Sequence, residues 1–159
     1  MSVIQLSRLA SWALLLGLVL GPPAVAMALW SPFLLSARIR ALFRGLPPTG
    51  SAVPSYAVAA VCLWVPYLAG LLWVLTDTAG TSGAVTANGL LDVVVPVSLI
   101  YVVGLPAVAA VGLPRVGIDW DQTGYGLATW AVLLAGAAWW AVLLGGPVFL
   151  LSLVMALPT

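Results

Sequence analysis

Four long apolar stretches separated by short polar links set the pattern of this 159-residue chain. They run from about 9 to 35, 52 to 76, 90 to 113 and 125 to 157. A helix crosses the hydrocarbon layer of a bilayer in about 20 residues, so each stretch can span one. The pattern predicts an all-α membrane protein, an antiparallel bundle of four kinked transmembrane helices. Residues 1–159 then form a single integral membrane domain. Short links make consecutive helices antiparallel neighbours.

Proline falls in every stretch, at Pro22, Pro23, Pro66, Pro96, Pro106 and Pro147. Helices in lipid tolerate this because neighbours take up the freed carbonyls, and kinks are the expected result. The first and fourth stretches exceed the bilayer's need, so they should tilt, bend or run along the interface. "GGP" at 145–147 is the expected break in the fourth. After the first stretch, Leu35, Ile39, Leu42 and Phe43 share one helical face, and Arg40 and Arg44 share another. Such a segment can lie on the membrane surface, with Arg38, Arg40 and Arg44 against anionic lipid headgroups; the breaker "GLPPTGS" follows. The start of the chain also resembles a secretory signal, with Arg8, "WALLLGLVL" and small residues before a cleavage point at Ala26 or Ala28. The apolar run continues through "LWSPFLL" into the arginine cluster, as a retained helix would.

Composition strengthens the membrane reading. The chain is 64% hydrophobic and 6% charged, against roughly 25% charged in soluble domains. Five basic and four acidic residues could not cover a water-soluble globule of this size. His, Lys and Glu are absent. That removes the imidazole base, the His-rich metal site, the Schiff-base lysine and the P-loop lysine. The lone Cys62 excludes a disulfide within the chain, and its apolar surroundings predict a buried, inert thiol. Abundant Ala, Gly, Val, Leu and Arg without Lys hints at a GC-rich prokaryotic genome. No cofactor and no nucleic-acid partner is expected.

Charge also predicts orientation. Arg38, Arg40, Arg44 and Arg115 lie in the first and third links, against Arg8 alone on the other side. Basic residues in short links stay cytoplasmic. Both termini and the Asp77–Asp92 link should then be outside the plasma membrane.

Small residues recur at helix-packing spacing: Gly17 with Gly21, Ala137 with Ala141 and Gly145, and Gly104 with Gly112. They predict close helix contacts within the bundle, or with another subunit or copy. Trp12, Trp30, Trp73 and Trp120 with Tyr125 suit an interfacial belt. Trp64, Trp139 and Trp140 lie deeper and could line a lipid or quinone pocket.

Two constellations carry candidate chemistry. "DWDQTGYG" places Asp119, Asp121, Thr123 and Gly124 where a calcium loop has its first, third, fifth and sixth positions. The twelfth position is Trp130 instead of a bidentate acid. A structural loop is the stronger expectation, with Asx turns at Asp119 and Asp121, a cap from Thr123 or Asp121, and a turn at Gly124. Asp77 and Asp92 could form an ion or proton site at the outer mouth. With Asn88 or Gly89 as cap, Asp92 falls in the first turn of the third helix and serves as an interfacial anchor. The expected function is that of a small multi-pass protein without a catalytic site: an accessory, scaffold or assembly component. The alternative is a small oligomeric transporter or channel using Asp92 and Asp77.

Overall fold

The computed structural model describes residues 3–47 and 50–157; Pro48 and Thr49 of the expected breaker lie outside the described residues. Among the described residues the chain is all-helical, with four helices long and apolar enough to cross a membrane. Helix α1 covers Val3–Trp30, and a 3-10 turn at Ser31–Leu35 leads into α2, Ala37–Gly45. Helix α3 covers Ala52–Asp77, and α4 covers Gly83–Ala107. A π-helical turn at Val108–Gly112 and the short α5, Leu113–Arg115, prolong α4. Helix α6 covers Leu127–Met155.

The first stretch does not stay α-helical to residue 35. Pro32 supplies no N–H at the start of the turn, and the Ser31 hydroxyl donates to Ala28 O at 2.7 Å. Arg40 Nη1 then donates to the carbonyls of Leu34 and Leu35 at 2.7 and 2.8 Å, holding the corner. Beyond it, α2 is amphipathic as expected: Ile39 and Phe43 are buried and Arg44 is exposed. Leu35, placed on that buried face by the sequence, is 81% exposed because it belongs to the 3-10 turn.

Two boundaries also depart from expectation. Helix α4 starts at Gly83, seven residues before the expected Leu90, because nothing in "GAVTANG" forbids a helix and packing rewards it. Thr86, Ala87 and Leu90 are buried, and Gly83 lies so close to the Met155 backbone that a Cβ there would collide with it. Thr78 Oγ1 bonds Thr86 Oγ1 at 3.0 Å, fastening the preceding link to this extra turn. Helix α6 runs unbroken through "GGP". Gly145 is buried there, and a Cβ on it would sit 2.9 Å from Ser98 Oγ and 3.1 Å from Val94 Cγ2. Close packing on α4 keeps that segment helical.

Contacts of Gly83 with Met155 and Gly145 with Val94 make α4 and α6 antiparallel, and those of Gly70 with Val93 and Gly89 with Val74 do the same for α3 and α4. The α4–α6 pair is the most extensive in the fold. Ala137, Ala141 and Gly145 are buried, as their spacing predicts. Gly104 and Gly112 do not mediate contact between helices, since a Cβ on either would touch only its own helix. Helix α1 is peripheral: 11% of its most apolar stretch is buried, against 28–33% for the other three.

Candidate functional site

The loop from α5 to α6 holds two of the chain's four acids. Asp121 is buried within it. One carboxylate oxygen accepts from the Thr123 N–H at 3.1 Å and the Thr123 hydroxyl at 2.7 Å. The other accepts from the Thr129 hydroxyl at 2.6 Å. Arg38 of α2 lies 3.9 Å from that second oxygen and donates to Thr123 Oγ1 at 3.2 Å. Burial pushes the Asp121 carboxyl up, but the Thr129 and Thr123 hydrogen bonds and the Arg38 charge outweigh it. The group is held below its ordinary value.

Asp119 is exposed and takes a different partner, the Tyr125 hydroxyl at 2.8 Å. The two acids of the calcium-like motif therefore serve separate hydrogen bonds. Among the described residues no group of three or more His, Cys, Asp or Glu converges on a common point. Asp121 makes the expected Asx turn with the Thr123 N–H, and Gly124 has φ +86°, a left-handed turn that suits glycine. The expected cap on α6 is not formed. The N-cap is Gly126, without a side-chain hydrogen bond, and Asp121 reaches the Thr129 hydroxyl instead of a backbone N–H.

Asp77 and Asp92 are both exposed and not brought together. Val74 packs on Gly89 and Val93 on Gly70. This register sets the two acids about six residues, roughly 9 Å, apart along the helix axes. Asp92 is the tenth residue of α4, well past the first turn where a cap at Asn88 or Gly89 would have put it. It shares an outward stripe with Leu99 and Val103.

The tryptophans divide differently from the sequence reading. Trp12 and Trp73 are exposed, as a belt requires. Trp30 is 3% exposed and forms the centre of an aromatic cluster, stacked on Phe33, Tyr56 and Trp140 at 4.9, 5.3 and 5.4 Å. Its indole N–H donates to Gly136 O at 2.9 Å. Trp120 is also buried, and its N–H donates to Ala109 O at 2.6 Å inside the π turn. For Trp120 the sequence holds a signal: Leu113 N–H bonds Val108 O across the π turn, so the next donor for Ala109 O would be Pro114, which has no N–H.

Beside the cluster lies a cavity of about 280 Å³. Its walls come from the C-terminal end of α1, the apolar face of α2, α3, the C-terminal end of α4 with the π turn and Leu113 that follow it, and the first half of α6. Of the three tryptophans expected around a pocket, Trp140 lines it and Trp64 and Trp139 do not. Cys62, expected to be buried, is exposed and sits at the cavity's edge on α3. An apolar run does not reveal which of its faces packs inward.

Helix α1 supplies the last candidate surface. Residues 11–20 are exposed on every side, and a Cβ added at Gly17 or Gly21 would meet nothing within 4 Å. The GxxxG pair is unused by the bundle.

No curated protein and no solved structure matches this chain. A family model described as "Domain of unknown function (DUF8162)" matches residues 10–159, and with nearly its whole length covered the chain belongs to that family.

Proposed function

We propose that this is a multi-pass integral membrane protein of the plasma membrane, without a catalytic site, that serves as an accessory, scaffold or assembly subunit. One observation carries the reading. Residues 11–20 of α1 are exposed on every side, yet Gly17 among them and Gly21 just beyond make a close-packing pair whose Cβ positions meet nothing in the bundle. In lipid, association of helices relies on such small residues because no hydrophobic drive exists between them. A helix with this pair left open is suited to receive another membrane helix. The placement of Asp77 and Asp92, apart and outward, lends no support to the transporter alternative.

The orientation proposed places α2 and the α5–α6 loop at the cytoplasmic face and both termini outside. It rests on Arg38, Arg40, Arg44 and Arg115 collecting at one end of the bundle. The test of the subunit reading is native-state sizing after extraction in mild detergent. The wild type should run larger than one protomer, and Gly17→Leu with Gly21→Leu should release the protomer without lowering its thermal stability. A monomeric wild type, or an assembly indifferent to the double change, would overturn the reading.

A further inference from the structure

We propose that the cavity beneath α2 holds one acyl chain of an anionic glycerophospholipid, with the lipid phosphate seated on Arg44 and Arg115. The lining decides the class of ligand. No residue in it carries a hydroxyl, an amide or a charge. A quinone, sugar or nucleotide needs a few placed polar groups for orientation; a hydrocarbon chain needs none. The flat indole faces are not free to sandwich a ring, because Trp30 and Trp140 already stack on each other. A cavity of about 280 Å³ lies at the small end of ligand pockets, which run from about 300 Å³ upward. It suits a single chain.

Access and charge supply the rest. Cys62 on α3 and Val108 on the π turn are lining residues that are also exposed. They mark an opening between α3 and α4 onto the surface that faces lipid. The π turn widens α4 at that place, and such turns recur at functional sites. At the end closed by α2, Arg38 is engaged by Asp121 and Thr123, and Arg40 by two carbonyls. Arg44 and Arg115 are exposed and, among the described residues, make no hydrogen bond or ion pair. Each follows closely on a lining residue, Phe43 and Leu113. Gly45 packs on Ile118 and Trp120, so the two chain segments that carry these arginines meet. Two uncommitted cations beside an apolar cavity match a phosphate above a chain.

The inference rests on the membrane reading above, which fails by itself if the chain stays soluble without detergent. The experiment is native mass spectrometry of delipidated protein titrated with phosphatidylglycerol or with phosphatidylcholine of the same chains. One phosphatidylglycerol per protomer should be retained, in preference to phosphatidylcholine. Arg44→Gln with Arg115→Gln should weaken phosphatidylglycerol roughly thirtyfold, since each arginine is worth about 1 kcal/mol at an anionic headgroup, and leave phosphatidylcholine unchanged. Ala59→Phe, and separately Leu63→Trp, should fill the cavity and abolish retention of both lipids. Because a filled variant can misfold, phosphatidylglycerol brominated on its chain provides a second reading. It should quench wild-type tryptophan fluorescence at one lipid per protomer, and Trp140→Phe should reduce that quenching. A wild type that retains no lipid, equal retention of the two headgroups, or natively stable filled variants that still hold the lipid would each overturn the proposal.

Discussion

Truncating Asp121 to alanine separates a structural loop from a metal loop. The carboxylate accepts three hydrogen bonds, from the Thr123 N–H and hydroxyl and from the Thr129 hydroxyl. Hydrogen bonds to a charged group contribute about 1.5–3 kcal/mol each, but neighbouring ones do not add. Thr129 has a second acceptor in Gly124 O at 3.2 Å, and Thr123 is exposed and can turn to water. Both reduce the loss. Arg38 is a third exposed at its side chain, so its 3.9 Å approach adds little. The expected cost of Asp121→Ala is about 2–3 kcal/mol. Asp119→Ala removes one bond from Tyr125, and because Asp119 is exposed and water can replace that bond, the cost should be under about 1 kcal/mol. The assay is reversible unfolding in mild detergent with added SDS, followed by far-UV circular dichroism, with and without Ca²⁺. Equal losses for the two acids, or a Ca²⁺-dependent gain that both substitutions remove, would refute the reasoning. Acid gives an independent check. The folded Asp121 carboxyl titrates below its ordinary value of 3.8, so its contribution is complete above that pH. It is lost as pH falls through the lower folded value, and the Asp121→Ala protein should lack this loss.

Three further outcomes follow from the packing. Asp92→Asn should leave insertion and unfolding unchanged, because the side chain is exposed and meets no partner among the described residues; loss of folded protein on membrane extraction would contradict this. Gly145→Leu should destabilise by about 1–3 kcal/mol, the usual cost of overpacking, here against Ser98, Val94 and Tyr67, whereas Gly17→Leu should be neutral for the protomer; the same unfolding assay compares them. In a Cys62→Ala background, an impermeant maleimide on intact cells should label Ser82→Cys and spare Ser51→Cys, and the reverse pattern would invert the orientation.

The helices were legible because hydrophobic length is a property of each segment alone. Val53 to Trp73 reads as a span whatever surrounds it. Faces were not legible, because every face of such a helix is apolar. Cys62 and Trp64 sit two residues apart in one run, yet Cys62 is exposed and Trp64 buried. The same blindness moved Trp30 from an expected belt to the centre of the aromatic cluster. Polarity misled in the opposite direction at the start of α4. "ANG" looks like a cap, but Thr86 and Leu90 gain more by packing than a loop would gain in freedom, so the helix takes in seven further residues. In the loop, spacing within "DWDQTG" located the Asx turn at Asp121, since that bond joins neighbours in sequence. Thr129 and Arg38 come from eight residues downstream and from a separate helix, and only the fold could deliver them. The cavity belongs to the same class of facts: it is assembled from α1, α2, α3, α4 with the π turn and α5, and α6, and no one of those segments carries a trace of it.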